Sequence, residues 1–224
     1  MSTFEVYDVA TQTWTSLPAM TTARYFMAAV VLEGKLFVMG GTPLGGTYLD
    51  TVAIYDLTAG SWSSGTPMPT ARAGLAAVAT GGQIYALGGQ MHGGYQNTVE
   101  VFTVATGVWT TASAMPTRRA YHAAVTAGGR IFCLGGDSGV GQVEATTMDI
   151  FTIATGTWAA ATPMPHGRNY LAAAIAGGKI LTVGDGVGRS ADSSAVDGYD
   201  LASGEWSALG AMATARSRLA ASVV

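Results

Sequence analysis

The sequence predicts an all-β protein built from five copies of one unit. Three observations carry this prediction. All five tryptophans, Trp14, Trp62, Trp109, Trp158 and Trp206, stand 48, 47, 49 and 48 residues apart. Short apolar runs alternate throughout with Gly-rich turn signals such as Gly81-Gly82 and Gly88-Gly89. No segment carries the capped, 3.6-residue apolar stripe of a surface helix.

Other residues keep step with the tryptophans. Seven positions before each comes an aromatic: Tyr7, Tyr55, Phe102, Phe151 and Tyr199. Six after each comes Met20, Met68, Met115, Met164 or Met212, and four further on comes Arg24, Arg72, Arg119, Arg168 or Arg216. In the unit opened by Arg72, residues 72–79 are short and apolar, Gly81-Gly82 makes a tight turn, and residues 83–87 run apolar into Gly88-Gly89. Residues 98–102 alternate and are β-branched, Thr106-Gly107 turns, and residues 108–111 carry Trp109. Each unit is therefore four short strands, and such units repeated around an axis make a β-propeller.

The repeated positions have packing reasons. Ala28-Ala29, Ala76-Ala77, Ala123-Ala124, Ala172-Ala173 and Ala220-Ala221 mark an inner strand, where convergence on the axis admits only small side chains. Second strands such as Ile84-Tyr85-Ala86-Leu87 are apolar on both faces, as stacking between blades requires. The tryptophans and their aromatic partners are expected to fill the wedges between blades. The five arginines are expected to hydrogen-bond carbonyls of neighbouring blades, and the glycine doublets to supply positive φ.

Residues 1–224 read as one propeller domain. Complete blades span 24–64, 72–112, 119–160 and 168–208, and residues 1–17 and 216–224 form a partial fifth blade shared between the termini. First, third and fourth strands occur five times but second strands only four times, the missing stretch being equivalent to residues 33–48. The expectation is a window from a longer array, with open sheet edges that invite self-association.

Composition narrows the function. Eleven Lys and Arg against fourteen Asp and Glu give a net charge of −3, with no basic cluster to neutralise phosphates, which argues against a nucleic-acid partner. With 49% hydrophobic and 11% charged residues the chain is not of disordered type. Its charge-free stretches are broken by glycine pairs, so no membrane-spanning helix is expected. The start, Met1-Ser2-Thr3-Phe4, has no basic or apolar leader, and the compartment stays open. The single Cys133 occupies the slot of Val38 and Ala86 and reads as a buried structural thiol. His122 shares its slot with Met27, Leu75, Leu171 and Leu219 and reads as a packed core histidine. The three histidines have no metal-ligand spacing, and neither a metal nor another cofactor is expected.

The succession of Gly-Gly, aromatic, Trp, Met-Pro and Arg resembles the kelch repeat, whose unit is about 50 residues long. The resemblance covers nearly the whole chain. One unit departs from it, carrying Gly184-Asp185 in place of Gly40-Gly41, Gly88-Gly89 and Gly135-Gly136. The resemblance implies a binding module, and it also admits copper-radical oxidases and sugar epimerases. The copper chemistry needs a cross-linked cysteine, and Cys133 on a buried second strand is badly placed for that.

Function is best sought where the units differ. Loops 42–48, 90–97, 137–146 and 186–194 are long and share one face, where binding residues are commonly carried. Around the repeated Arg, Arg118 and His166 break the pattern. Together Tyr25, Arg118, Tyr121, His166, Asn169, Tyr170 and Arg218 are expected to form a polar, aromatic rim at the channel mouth. Such a rim suits a protein segment with a carboxylate, or a glycan. No catalytic set stands out. The alternative is a sugar-ring isomerase or epimerase on the same face using His166 or Arg118.

Overall fold

The computed structural model describes residues 3–139, 145–184 and 192–223. It opens with a hairpin, β1 (Phe4–Asp8) and β2 (Thr13–Leu17). The first blade is β3 (Ala28–Leu32), β4 (Lys35–Met39), β5 (Val52–Asp56) and β6 (Ser61–Ser64). The second begins with β7 (Ala76–Thr80) and β8 (Gln83–Leu87). A two-residue ladder of β9 (Gln90–Met91) and β10 (Gly94–Tyr95) interrupts the loop before β11 (Val99–Thr103) and β12 (Val108–Ala112) complete it. The third is β13 (Ala123–Ala127), β14 (Arg130–Leu134), β15 (Met148–Thr152) and β16 (Thr157–Ala160). The fourth is β17 (Ala172–Ala176), β18 (Lys179–Val183), β19 (Ser193–Asp200) and β20 (Trp206–Arg216). Every blade is an antiparallel meander, and the inner strands β3, β7, β13 and β17 lie side by side in that order.

The seven-residue spacing between aromatic and Trp is a cross-strand pair. Tyr55 faces Trp62, Phe102 faces Trp109, Phe151 faces Trp158 and Tyr199 faces Trp206 across the turn joining the third and fourth strands. Asp56 and Asp200 hold two of these turns by accepting backbone N–H groups two and three residues on. Each pair then packs against the blade before it. Phe37 meets Phe102, Tyr85 meets Phe151 and Phe132 meets Tyr199, with ring centroids 6.2, 6.2 and 6.4 Å apart. The indole N–H of Trp62, Trp109, Trp158 and Trp206 donates to the carbonyl of Pro18, Thr66, Ser113 and Thr162 in the preceding unit.

The arginine side chains work differently from the sequence expectation. Arg72 donates to the carbonyls of Gly88, Thr98 and Ala86, all within its own blade. Arg24, Arg119 and Arg168 likewise reach Gly40, Gly135 and Gly184 of their own blades. The link between blades runs through the main chain. The carbonyls of Arg72, Arg119 and Arg168 accept from Gly41, Gly89 and Gly136 of the preceding doublets. A Cβ on Gly89 would come within 2.9 Å of the Ala73 carbonyl, and φ there is +100°, so this close approach requires glycine.

The ends of the chain depart from the repeat. Trp14 and Tyr7 pair with each other at 5.1 Å but fill no wedge, Trp14 being 68% exposed. In the last unit β20 runs on to Arg216, past the point where β2, β6, β12 and β16 end, and Ala213 stands where Pro69, Pro116 and Pro165 stand in the units before it. Arg216 is consequently exposed, unlike the four buried arginines. Residues 217–223 form no strand, and β1 pairs with β2 alone among the described residues. Asp185, and parts of the 137–146 and 186–194 loops, lie outside the described residues.

Candidate functional site at the channel mouth

Two residues after each repeated arginine the backbone turns left-handed. Phe26, Gly74, Tyr121, Tyr170 and Arg218 have φ of 57, 64, 57, 51 and 54°. Only one of the five is glycine, so four side chains bear the strain of this region, of order 1 kcal/mol each. A chain of main-chain hydrogen bonds explains why the turn recurs. Gly74 N–H donates to Phe26 O, Tyr121 to Gly74, Tyr170 to Tyr121 and Arg218 to Tyr170, at 2.8 to 3.0 Å. This arc joins all the units at the end of the inner strands. Arg218 takes the fifth place in it although residues 219–223 form no strand.

The side chains carried by this arc form one cluster. Tyr121 and Tyr170 stack at 4.3 Å, Phe26 meets the edge of Tyr121 at 5.2 Å, and Tyr25 packs on Phe26 at 5.0 Å. The Arg218 guanidinium lies 4.6 Å from the centre of the Tyr170 ring, within cation–π range. A Cβ on Gly74 would come within 2.7 Å of the Tyr121 ring, so the glycine makes room for that ring. The Tyr121 hydroxyl donates to Gln90 Oε1 at 2.7 Å, and Gln90 Nε2 donates to the Tyr48 hydroxyl at 2.6 Å. Tyr95 donates to Asp137 at 3.1 Å. Burial, and then the Asp137 charge, push the Tyr95 phenol up to about 12, and burial also raises Tyr121. Both therefore stay neutral hydrogen-bond donors at ordinary pH.

Between these groups lies an open cavity of about 580 Å³, lined by Tyr25, Phe26, Tyr121, Tyr170 and Arg218 over a floor of Met27, Leu75, His122, Leu171 and Leu219. His122 is buried, as its slot suggested, and neither ring nitrogen has a hydrogen-bond partner. Burial first, then Arg119 and Arg72, hold its pKa well below the ordinary value. Cys133 is fully buried and its thiol is pushed up to about 12, chiefly by desolvation. Among the described residues no group of three or more His, Cys, Asp or Glu comes together to hold a metal.

Of the seven expected rim residues, Tyr25, Tyr121, Tyr170 and Arg218 line this cavity. Arg118, Asn169 and His166 are not among its lining residues. Arg118 is exposed and Asn169 half-buried. His166 is 57% exposed, and its Nδ1 lies 3.7 Å from Asp197, the partner of Arg168. It stands where Thr70 stands two blades earlier, and the Thr70 hydroxyl donates to Glu100, the partner of Arg72. Phe26 also lines the cavity, outside the expected set. Aligned by the arginines, Tyr25 matches Ala73, Ala120, Asn169 and Ser217, while Phe26 shares the register of Tyr121 and Tyr170.

The KLHDC2/KLHL20/DRC7 Kelch-repeats domain model matches residues 1–184 and again residues 66–224, an overlap that like units permit. No curated protein matches the chain. Among solved structures, one titled "Structure of YjhT" is similar at a TM-score of 0.84 and 18% identity, over 94% of this chain and 78% of that one. At this identity the likeness is one of fold. With a family model matching from end to end and the four meander blades already described, the chain belongs to the kelch-repeat family and folds as a kelch-type β-propeller.

Proposed function

We propose that this kelch propeller, an interaction module in the general sense of its family, binds a protein segment or a glycan at the channel mouth on the long-loop face. The supporting observation is the left-handed arc. Phe26, Tyr121, Tyr170 and Arg218 are held in a strained conformation around an open cavity, and strain of this kind gathers at binding sites. Neutral phenols, an exposed guanidinium and aromatic rings are the groups that hold sugars or the carboxylate and side chains of a peptide. The cavity is wide enough for a few sugar rings or residues. An isomerase using His166 or Arg118 is less well supported, since neither residue lines the cavity.

Probing glycan and peptide arrays with the protein tests this reading. The expected result is a small set of related ligands whose binding is lost on Tyr170→Gly, a substitution that copies Gly74 and suits the positive φ. No ligand in either array, or ligands indifferent to that change, would count against it.

A further inference from the structure

The Tyr7–Trp14 face of the β1–β2 hairpin is one half of an interblade junction. In the four later units the equivalent aromatic is buried: Tyr55, Phe102, Phe151 and Tyr199. The equivalent indole N–H reaches a carbonyl of the unit before, four residues past that unit's own Trp. Trp14 makes no hydrogen bond among the described residues, and Val6, Tyr7 and Val9 are exposed beside it. The opposite side of the hairpin is engaged, Trp62 donating to the Pro18 carbonyl as in the other units and Phe4 packing on Tyr55 at 4.9 Å and on Trp62 at 5.4 Å. One side of the hairpin thus makes its junction and the other is left open.

The matching half lies on blade four. Gly210 holds the position of Pro18, Thr66, Ser113 and Thr162, four residues past Trp206, and both Gly210 and its neighbour Leu209 are exposed. The same chain therefore displays both halves of a contact that it makes internally at each successive unit. In the later units such a face is covered by the blade before it: the indole N–H reaches the segment just past the fourth strand, and a second-strand ring, Phe37, Tyr85 or Phe132, packs on the aromatic.

We propose that the Tyr7–Trp14 face docks on the Leu209–Gly210 edge of blade four in a second copy of this chain. The contact is heterologous, joining two different surfaces, so it builds a chain or a closed ring of copies rather than a two-fold dimer. A large exposed aromatic pair with one free N–H donor is the composition expected of an anchor for such a contact. The commitment to a second copy follows from stoichiometry, because every copy brings one half of each kind.

Sedimentation velocity over low to high micromolar concentration tests this with the intact chain. The expected result is a sedimentation coefficient that rises with concentration, and a dissociation constant weakened about tenfold or more by Trp14→Ala or by Leu209→Lys. Both positions are exposed, so neither variant is expected to unfold, and the melting temperature checks this. Mixing the two variants should restore association, but only to a dimer, since one intact junction remains per pair. A chain that stays monomeric at every concentration overturns the proposal. So does association that neither substitution weakens, or a mixture that fails to recover a dimer.

Discussion

Arg72 and Glu100 form a fully buried ion pair, 2.8 Å from guanidinium to carboxylate, and Thr70 caps the same carboxylate at 2.6 Å. Arg119 with Asp149 and Arg168 with Asp197 repeat the ion pair. In the first blade Ala53 occupies the acidic position, and Arg24 binds the carbonyl and hydroxyl of Thr51 instead. Removing one partner of a buried pair strands the other, at a cost of about 3–5 kcal/mol. Glu100→Gln is therefore expected to lower stability by about that much, and Arg72→Ala likewise. Arg24→Ala, which strands no carboxylate, is expected to cost less. Urea denaturation of the three variants measures the order, and a loss for Arg24→Ala equal to that for Arg72→Ala would contradict it.

The tryptophans divide in the same way. Trp109 packs against the core between blades one and two and donates to Thr66, whereas Trp14 is exposed. Trp109→Ala is expected to cost about 3 kcal/mol, the lower end of the range for a large core aromatic because the ring is only partly buried. Trp14→Ala should cost under about 0.5 kcal/mol in the monomer. Equal losses in dilute denaturation experiments would mean that Trp14 is packed in solution.

The fold was legible because the blade junction uses the same letters every time. Trp, its aromatic partner, the doublet and the Arg each solve one packing problem, and a fixed problem leaves a fixed residue. The acidic partners of the arginines were hidden in the Arg register, because Glu100, Asp149 and Asp197 are not one residue type, their offsets from the Arg vary by up to two positions, and the first blade has Ala53 in their place. The left-handed arc was hidden for a similar reason. Its five positions hold Phe, Gly, Tyr, Tyr and Arg, and only Gly74 advertises positive φ. His166 stood out as a break in the pattern, yet the break replaces Thr70 beside a buried ion pair. The fate of Trp14 was not legible at all. Its letter matches the others, and its exposure depends on what lies beside the hairpin.

The channel-mouth reading separates the arginines. Arg218 lies over Tyr170 and lines the cavity, while Arg118 does not line it. Arg218→Gly and Tyr170→Gly both suit the positive φ and should leave the melting temperature within a few degrees of the parent. Each is expected to weaken binding of an array-selected ligand by about tenfold or more, the usual loss for an Arg or aromatic anchor. Arg118→Ala should leave binding unchanged. Titration calorimetry with that ligand reads the difference, and an equal loss at Arg118 would move the site.

Cys133 gives a simple probe of blade opening. It is buried between blades two and three, its thiol raised to about 12. A thiol reagent at neutral pH is expected to label it only as fast as the protein opens, and labelling should accelerate through the urea unfolding transition. Rapid labelling of the native protein would show that this junction is open.

His122 should make stability depend on pH. Its folded-state pKa lies well below the ordinary value of about 6.5, because burial and the nearby Arg119 and Arg72 oppose the charged form. Above about pH 6.5 the imidazole is neutral in both folded and unfolded chains and its contribution is constant. Below that pH the unfolded chain takes up the proton first. Stability then falls, by about 1.4 kcal/mol per pH unit, until the folded imidazole also protonates. His122→Leu places there the residue that Leu75 and Leu171 supply in the neighbouring blades, and it removes two buried nitrogens that have no partner. The variant is expected to be at least as stable as the parent near neutral pH and to lose much less on acidification. Melting temperatures measured from about pH 7.5 down to about pH 5 test this, because the two curves should diverge only below about pH 6.5. Parallel curves would mean that the His122 ring reaches water or takes up a proton in the folded state.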